Sequence, residues 1–517
     1  MKRIALLLVF VTLAAASPPE RVDLIIRGGT IYTGSAAPFV GDIAITGDRI
    51  RAVGRRLPHA AGRVIDARGL IVAPGFIDPH AHIGPQLAAE DAHERLIPAF
   101  LMQGVTTAFI GNDGHGEADV AAVLAGARRR PVGINYAAYV GFGAVRRAVV
   151  GDADRAPTPE ELTRMRGMVA TAMCGGALGL STGLFYAPQS FSTTEEVVAL
   201  AREAGLRGGV YDSHLRDESS YTIGLAAAVD EAIAIGRAAR LPVNISHIKA
   251  LGVDVHGQAP AIITRIEAAR RAGQRVTADQ YPWSASGTSL ASALVPRWAQ
   301  DGGRAAMLRR FDDPAVAERL RTDMADNLRR RGGAASLLIT QGPHRGQRLA
   351  DVAAGQGADP VATAISVIRV ADTSVASFNQ TEDDIAAFMR RPWVMTSSDA
   401  SGGHPRAFGS FARKYAEYVR RRGVIDLRAF IERSTALPAA TFGIADRGHL
   451  RPGAFADIVL FDPRSFAARA TYEESALLAA GVRAVLVNGE LAVDEGALTR
   501  TAAGRGLAHT SPAGTCQ

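Results

Sequence analysis

Several apolar segments of this 517-residue chain end in a histidine or an aspartate. The clearest is the run 70–77, which leads into Asp78-Pro79-His80-Ala81-His82. Residues two apart point to the same side of a β-strand, so one metal ion could take both imidazoles. Further runs end at His214, at His247 and at Asp399. Four strands that each deliver a metal-type ligand to one rim favour a parallel barrel.

The middle of the chain, 74–445, alternates strand-like runs with helical ones. Together with the strand before His80 there are eight such runs, the number that a (β/α)₈ TIM barrel needs. An arginine-rich helical segment at about 297–346 breaks the rhythm and predicts an insertion that overhangs the barrel mouth. The other seven predicted strands are Thr106–Gly111, Gly133–Val140, Ala177–Leu184, Gly209–Ser213, Val243–His247, Arg275–Asp279 and Trp393–Ser398.

Both ends of the chain have a different texture, with short alternating β-runs broken by glycine. We therefore predict one small β-sandwich domain built from residues 22–73 plus 446–497. The predicted fold class is α/β, a TIM barrel with this β-sandwich attached. Residues 498–517 are rich in small and polar residues and predict a flexible tail.

The first residues predict a signal peptide over 1–16. Lys2 and Arg3 precede an apolar stretch that is too short for a comfortable membrane span, and Ala14-Ala15-Ala16 offers a cleavage site. The expected location is periplasmic or secreted, with no stable membrane insertion after cleavage. An uncleaved anchor is the alternative.

Cysteine content and charge narrow the remaining possibilities. The two cysteines, Cys174 and Cys516, are too few for a disulfide framework or a cysteine-rich zinc site. We expect Cys174 to be a small buried apolar residue and Cys516 to lie in the flexible tail. The net charge of +7 is spread along the chain without a nucleic-acid motif, so no nucleic-acid partner is expected.

The ligand set predicts a metal centre. Histidine with oxygen ligands suits one or two Zn²⁺ ions, although manganese and iron are compatible. Each histidine alone is more often structural, whereas four at strand ends with Asp399 are hard to explain by packing. Asp399 could also accept a proton from the attacking water, or simply cap the next segment. His115 and His404 flank these motifs and are expected near the site.

A cationic group for the substrate is predicted at Lys249. Only three of the 58 basic residues are lysines, and Lys249 follows His247 by two residues, so both face one side of the strand. We predict that it binds a substrate carboxylate, with a chance surface lysine as the alternative. Arg406 could fork onto the same carboxylate. Tyr186 and Tyr281 are either hydrogen-bond donors at the rim or packing aromatics.

These residues together resemble the amidohydrolase superfamily, and within it the N-acyl-D-amino-acid deacylase (D-aminoacylase) family. The likeness covers nearly all of 22–495. The His-x-His opening occurs throughout the superfamily, and the segments 176–186 and 404–406 are more specific to the deacylases. The matching motifs are Pro74–His82, Gly104–Thr107, Gly176–Tyr186, Ile245–Lys249, Asp279–Pro282, Ser398–Asp399, His404–Arg406 and Gly448–Val459.

The resemblance implies a zinc-dependent hydrolase that cleaves N-acyl-D-amino acids to a free amino acid and a carboxylate. It implies one metal position at His80 and His82 and a tighter one at His214 and His247. Asp399 would be the general base. The side chains that would hold the substrate carboxylate are Lys249, Tyr186, Tyr281 and Arg406.

One position departs from the family pattern. The deacylases typically have a cysteine in Gly-Asn-Cys-Gly to bridge the metals, whereas this chain has Gly111-Asn112-Asp113-Gly114. Asp113 could bridge through its carboxylate or could be a turn residue. The change leaves other functions open: a dipeptidase, a cyclic amidase of the dihydropyrimidinase or hydantoinase type, or a non-catalytic barrel that only binds ligands.

Overall fold

A computed structural model describes residues 20–516 of the chain. The predicted signal peptide, 1–16, lies outside the described residues. Among residues 20–516, no helix combines the length and the apolar character that crossing a membrane requires.

Both chain ends build one β-domain. The strand Ile71–Pro74 pairs antiparallel with Ile458–Phe461, which joins N-terminal and C-terminal strands in a single nine-stranded sheet. Alternating apolar residues such as Ile26, Ile43 and Leu460 form its core. The strands are Arg21–Ile31, Phe39–Thr46, Arg49–Gly54, Ala60–Asp66, Ile71–Pro74, Ile458–Phe461, Val482–Val487, Glu490–Asp494 and Ala497–Leu498.

Eight parallel strands form the barrel, and the predicted fold class is confirmed. The eighth strand closes on the first through a parallel bridge between Ala81 and Ala400, where the Asp399 amide donates to the His80 carbonyl at 2.9 Å. In chain order the strands are Phe76–Asp78, Val105–Ile110, Asn135–Ala138 with Val140–Gly141, Gly179–Gly183, Val210–His214, Val243–Ile245, Val276–Gln280 and Val394–Thr396.

Helices surround the barrel, and local sequence signals explain where several begin. Thr158 and Glu161 form a capping box at the start of the helix Pro159–Cys174, which has proline at its first position. The Thr193 hydroxyl caps the helix Thr194–Leu206. The helices outside the insertion are Gly84–Leu87, Ala92–Arg95, Pro98–Leu101, Val120–Arg129, Phe142–Val149, Pro159–Cys174, Thr194–Leu206, Leu225–Ala239, Ala259–Arg271, Glu382–Met389, Arg406–Arg413, a π-helix Lys414–Arg421, Leu427–Ser434 and Ala436–Phe442.

The insertion predicted at about 297–346 lies inside a larger unit, 285–378, between the seventh and eighth barrel strands. It has its own apolar core, which includes Leu294, Met324 and Ile339. Its first strand, Ala285-Ser-Gly-Thr-Ser289, lacks apolar residues to signal a strand. The strands are Ala285–Ser289, Leu337–Ile339 and Ser374–Phe378, and the α-helices are Leu290–Leu294, Gly303–Arg310, Ala317–Arg330, Leu349–Gln356 and Pro360–Val370.

The last residues are not a flexible tail, and that prediction is wrong. Residues 499–516, here called the C-terminal strap, bind the barrel through backbone hydrogen bonds: the Tyr136 amide donates to the Arg505 carbonyl at 2.9 Å, and the Leu507 amide donates to the Tyr136 carbonyl at 2.7 Å. The strap pairs with the edge of Asn135–Ala138 that faces the fourth strand, which itself pairs with the third strand only at Val140 and Gly141. Small residues such as Gly504 and Gly506 allow this close approach.

The two cysteines were also predicted wrongly. Cys174, at the exposed end of the helix Pro159–Cys174, forms a disulfide with Cys516 of the strap, with the two Cα atoms 5.5 Å apart. The partners are separated by 342 positions. No local pattern connects residues so distant, so only the fold reveals the pair.

Candidate active site

The six predicted metal ligands come from the carboxyl ends of five barrel strands. His80 and His82 follow the first strand, Asp113 follows the second, and His214 ends the fifth. His247 and Asp399 follow the sixth and eighth strands in the same way. All parallel strands of a barrel end on the same rim, and the structure brings these six side chains together there.

The six side chains form two groups that share Asp113. The first contains His80, His82, Asp113 and Asp399, and the second contains Asp113, His214 and His247. Within each group, the potential ligand atoms all lie within 4.8 Å of one another. Asp113 is therefore the one residue that belongs to both groups, the place that a bridging ligand would occupy.

Individual distances in the groups are close. His82 Nε2 lies 3.3 Å from Asp399 Oδ1 and 3.4 Å from Asp113 Oδ2. In the second group, His247 Nε2 lies 3.4 Å from Asp113 Oδ1 and 2.9 Å from His214 Nδ1. Nitrogen and oxygen atoms gathered this closely in two groups are the kind of donor set that holds a metal cation.

Burial and charge support this interpretation. Both ring nitrogens of His80 and Oδ1 of Asp113 are buried without a hydrogen-bond partner. Burial favours the neutral carboxyl, but the His80 and His247 imidazoles hold the pKa of Asp113 well below its usual range. For Asp399, burial is likewise outweighed by the Arg406 guanidinium, so its pKa is lowered. The site thus holds two anionic carboxylates among imidazoles.

Three of these residues have unusual backbone conformations. Asp113, His247 and Asp399 have φ angles of 57°, 34° and 49°, in the left-handed region that L-residues rarely enter. Such conformations persist only where the surroundings enforce them, and they are concentrated at functional sites. Here they turn each side chain inward directly after its strand.

A buried polar network inside the barrel enforces these positions. Asn244 Nδ2 donates to Asp212 Oδ1 and Asp279 Oδ2, each at 2.8 Å, and Asp279 Oδ1 accepts from the His247 amide at 3.0 Å. Asp78 Oδ1 accepts from the Ser398 and His80 amides. Sequence reasoning missed the roles of Asp78, Asp212 and Asp279, although all three stand inside or next to the quoted motifs.

Lys249 does line the cavity, but its ammonium group already has a partner. It donates to Glu218 Oε1 at 2.6 Å and lies 2.6 Å from His247 Nδ1. Glu218 also approaches His214, with 3.7 Å between Oε2 and Nε2. Sequence reasoning missed Glu218, although its place four residues after His214 was a usable signal. Glu218 therefore approaches both histidines of the second group at the ring nitrogen that does not face Asp113.

The other three predicted substrate-binding residues line the same cavity, of about 410 Å³. Arg406 Nη1 lies 2.7 Å from Asp399 Oδ2, and its guanidinium is 5.1 Å from the Tyr281 ring. The Tyr186 ring lies 4.8 Å from that of His214. His404, as expected, stands close by and accepts from the Arg406 amide at 3.1 Å.

The insertion supplies one wall of this cavity. Its first strand contributes Gly287 and Thr288, and more distant parts of the unit contribute Arg331, Thr340 and Ser374. The barrel thus provides the charged floor and the insertion covers it. This placement agrees with the predicted overhang at the mouth.

Comparison with known proteins places this geometry in context. A model of the amidohydrolase family matches residues 63–493. The chain is 34% identical to a D-aminoacylase of Alcaligenes xylosoxydans xylosoxydans, over 96% of this chain and 99% of that protein.

Two solved deacylase structures are similar to this chain in both sequence and fold. An N-acyl-D-glutamate deacylase from Bordetella bronchiseptica, solved with zinc and a phosphonate mimic of the tetrahedral intermediate, is 33% identical and has a TM-score of 0.81, covering 95% of this chain and all of that one. A D-aminoacylase structure devoted to the role of its binuclear metal centre is 31% identical with a TM-score of 0.80, covering 94% of this chain and all of that one.

Proposed function

The chain belongs to the amidohydrolase family, and we propose that it is a zinc-dependent hydrolase that cleaves N-acyl-D-amino acids to a free amino acid and a carboxylate. Similarity to deacylases over nearly the whole chain supports the reaction and the D-configuration. The single observation that carries the proposal is the double ligand group at the barrel rim with Asp113 in both halves.

The donor set fits zinc. The first group, His80, His82, Asp113 and Asp399, would hold one ion, and Asp113 with His214 and His247 would hold another. When bound there, zinc supplies Lewis-acid polarisation of the amide carbonyl and lowers the pKa of water. The Asp113 carboxylate stands at the position of the family's bridging cysteine and would be the ligand common to both ions.

Asp399 is the proton-transfer group in this mechanism. Its carboxylate accepts a proton from water as the new C–O bond forms at the acyl carbon, and it delivers that proton to the nitrogen as the C–N bond breaks. One proton is taken and one is returned, so the products are a carboxylic acid and an amine. The Asp399 amide, hydrogen-bonded to the His80 carbonyl, holds the carboxylate beside the ligands.

The amino acid carboxylate binds at the cationic side of the cavity. Arg406 is the principal anchor, because its buried Nε has no hydrogen-bond partner and its fork suits a carboxylate. Tyr186 and Tyr281 flank it. Lys249 adds positive charge nearby, although Glu218 neutralises much of it. Fixing the carboxylate selects which carbonyl meets the water.

Substitution of Asp399 by asparagine tests the mechanism. Asparagine tolerates the left-handed backbone at this position but cannot accept the proton, so kcat should fall by about 10²–10⁴-fold. Elemental analysis of the same protein shows whether zinc is retained. Turnover of N-acetyl-D-amino acids at the wild-type rate would overturn the assignment.

A substrate panel separates the proposed activity from its rivals. N-acetyl-D-amino acids, their L-enantiomers, dipeptides and a hydantoin are compared, and only the first should be good substrates. Chelation should abolish the activity and added Zn²⁺ should restore it. Hydrolysis insensitive to metal removal would contradict the proposal, and zinc binding without any hydrolysis would favour the non-catalytic barrel.

We also propose that the protein is exported, with cleavage near Ala16 and a periplasmic or secreted location. The charged and apolar residues at the N-terminus support this, and so does the Cys174–Cys516 disulfide, because such bonds persist in oxidising compartments. Cell fractionation with N-terminal sequencing tests it. A protein that begins at Met1 in the cytoplasmic fraction would contradict export.

A further inference from the structure

A second cavity, of about 690 Å³, lies beside the catalytic one. It is formed between the helix Gly84–Leu87, the ends of the second and third barrel strands, and the helix Val120–Arg129. We call it the side cleft. Its volume is in the range of small-molecule sites, about 300–1,000 Å³. The proposed mechanism does not use it.

The side cleft differs chemically from the catalytic cavity. Most of its wall consists of apolar side chains and glycines, among them Leu87, Ile110, Val120, Val123 and Ala138, with His115, Tyr136 and Tyr139 also present. The charged residues that line it, Glu117, Arg129 and Arg130, are all exposed to solvent. An apolar wall with a charged surface rim favours an apolar ligand.

His115 lines both cavities and so belongs to the wall that they share. The His115 ring lies 6.5 Å from the His82 ring and 6.3 Å from the Tyr186 ring, measured between centroids. Gly84 and Gly111, which also line the side cleft, are two positions along the chain from the ligands His82 and Asp113. One wall of the side cleft is therefore built from the same segments that carry these ligands.

We propose that the side cleft receives the acyl chain of the substrate, so that the enzyme prefers long N-acyl chains to acetyl. The inference rests on the proposed function. An N-acyl amino acid has a carboxylate end and an acyl end on opposite sides of the scissile bond. The catalytic cavity provides Arg406 for the first, and the apolar side cleft provides volume for the second.

A series of N-acyl chains on one D-amino acid tests the inference. Each methylene buried is worth about 0.8 kcal/mol, which corresponds to about a fourfold gain. The value of kcat/KM should therefore rise by up to about fifteenfold for each buried pair of carbons from acetyl to octanoyl, and even with partial burial the dodecanoyl substrate should exceed the acetyl one by more than about tenfold. Equal or falling kcat/KM along the series would overturn the inference.

Variants that fill the side cleft provide the structural test. Val123 is half-buried and Ala122 is exposed, and both line the cleft on one helix. Val123→Trp should lower kcat/KM for the dodecanoyl substrate at least tenfold and leave the acetyl substrate within twofold, and Ala122→Trp should act in the same direction. Arg128→Trp, on the same helix but outside the cleft, is the matched control and should change neither. Equal losses on both substrates, or none, would contradict the inference.

Binding of dodecanoate, the expected product, separates this inference from the proposed function. Calorimetry should detect dodecanoate binding to the wild type and at least tenfold weaker binding to Val123→Trp, with no binding of acetate to the side cleft. Hydrolysis of acetyl substrates without dodecanoate binding would overturn the side cleft and leave the deacylase intact. Dodecanoate binding without hydrolysis of any N-acyl amino acid would support the side cleft and overturn the deacylase.

Discussion

The barrel rim and the C-terminal strap both join residues that are far apart in the chain, but by different means. At the rim, strand order alone brings His80 next to Asp399, and the side chains meet as potential ligands. At the strap, a covalent bond joins Cys174 to Cys516, and small residues lie against the third strand. The difference suggests that chemistry and stability are carried by separate parts of the molecule.

Asp113→Asn should have the largest effect and should act on the rim alone. Asparagine accepts the left-handed backbone at this position, so the loop is retained, but the shared negative charge is lost. Zinc content should fall by at least one ion per chain, and kcat/KM should fall by more than about 100-fold, beyond the usual effect of a supporting residue. Elemental analysis and kinetics check both.

The outcome for stability completes this test. The urea midpoint of the metal-free Asp113→Asn protein should fall only modestly below that of the metal-free wild type, because the carboxylate pairs with imidazoles at the rim but takes no part in the polar network inside the barrel. Full zinc content with unchanged kinetics would show that Asp113 is only a turn residue.

Replacing both cysteines by serine should show the opposite pattern. The free energy of unfolding should fall by about 2–4 kcal/mol, because the disulfide closes a very long loop in the unfolded chain. The value of kcat/KM should change by less than twofold, since neither cysteine lines the catalytic cavity. Urea denaturation with and without a reducing agent measures the first quantity.

A thiol titration provides the control for this pair. Reduced wild type should unfold at the same urea concentration as the double variant. Two free thiols in the purified native protein, or a loss of activity equal to the loss of stability, would break the proposed separation between rim and strap.

The same contrast explains which features could be predicted from sequence. Most ligands at the rim follow strands whose apolar runs are visible, so strand-end motifs predicted His80, His82, His214, His247 and Asp399, whereas Asp113 was singled out only by comparison with the family pattern. Asp212 and Asp279 lie in or beside the same predicted strands, and Glu218 follows His214 by four residues, but a carboxylate alone does not reveal that it faces inward. The insertion was placed too narrowly, because its outer strands are short and one is rich in serine and glycine.

The strap was unpredictable for a physical reason. Its residues are small and polar, a composition typical of mobile tails, and its order comes from backbone hydrogen bonds and from Cys174, which lies in a different part of the chain. Neither interaction leaves a periodic pattern. Composition therefore predicted mobility where tertiary contacts fix the chain.

Glu218→Gln should lower zinc affinity and kcat/KM less than Asp113→Asn does. It tests whether a residue behind the metal ligands belongs to the functional rim. The substitution keeps the shape of the side chain but removes the charge that supports His214 and His247 and neutralises Lys249. We expect zinc affinity or kcat/KM to fall by about 10–100-fold, the usual effect of residues behind metal ligands. Competition with a chelator and steady-state kinetics measure these quantities.

The chain offers a matched control for this substitution. Glu196 forms a buried ion pair with Arg146, at 3.1 Å, outside the catalytic cavity. Glu196→Gln makes the same chemical change at similar burial, so it should lower the urea midpoint but leave zinc affinity and kcat/KM unchanged. If both variants lost stability alone, the Glu218–Lys249 pair would be structural like the strap, and the functional rim would end at the six ligands themselves.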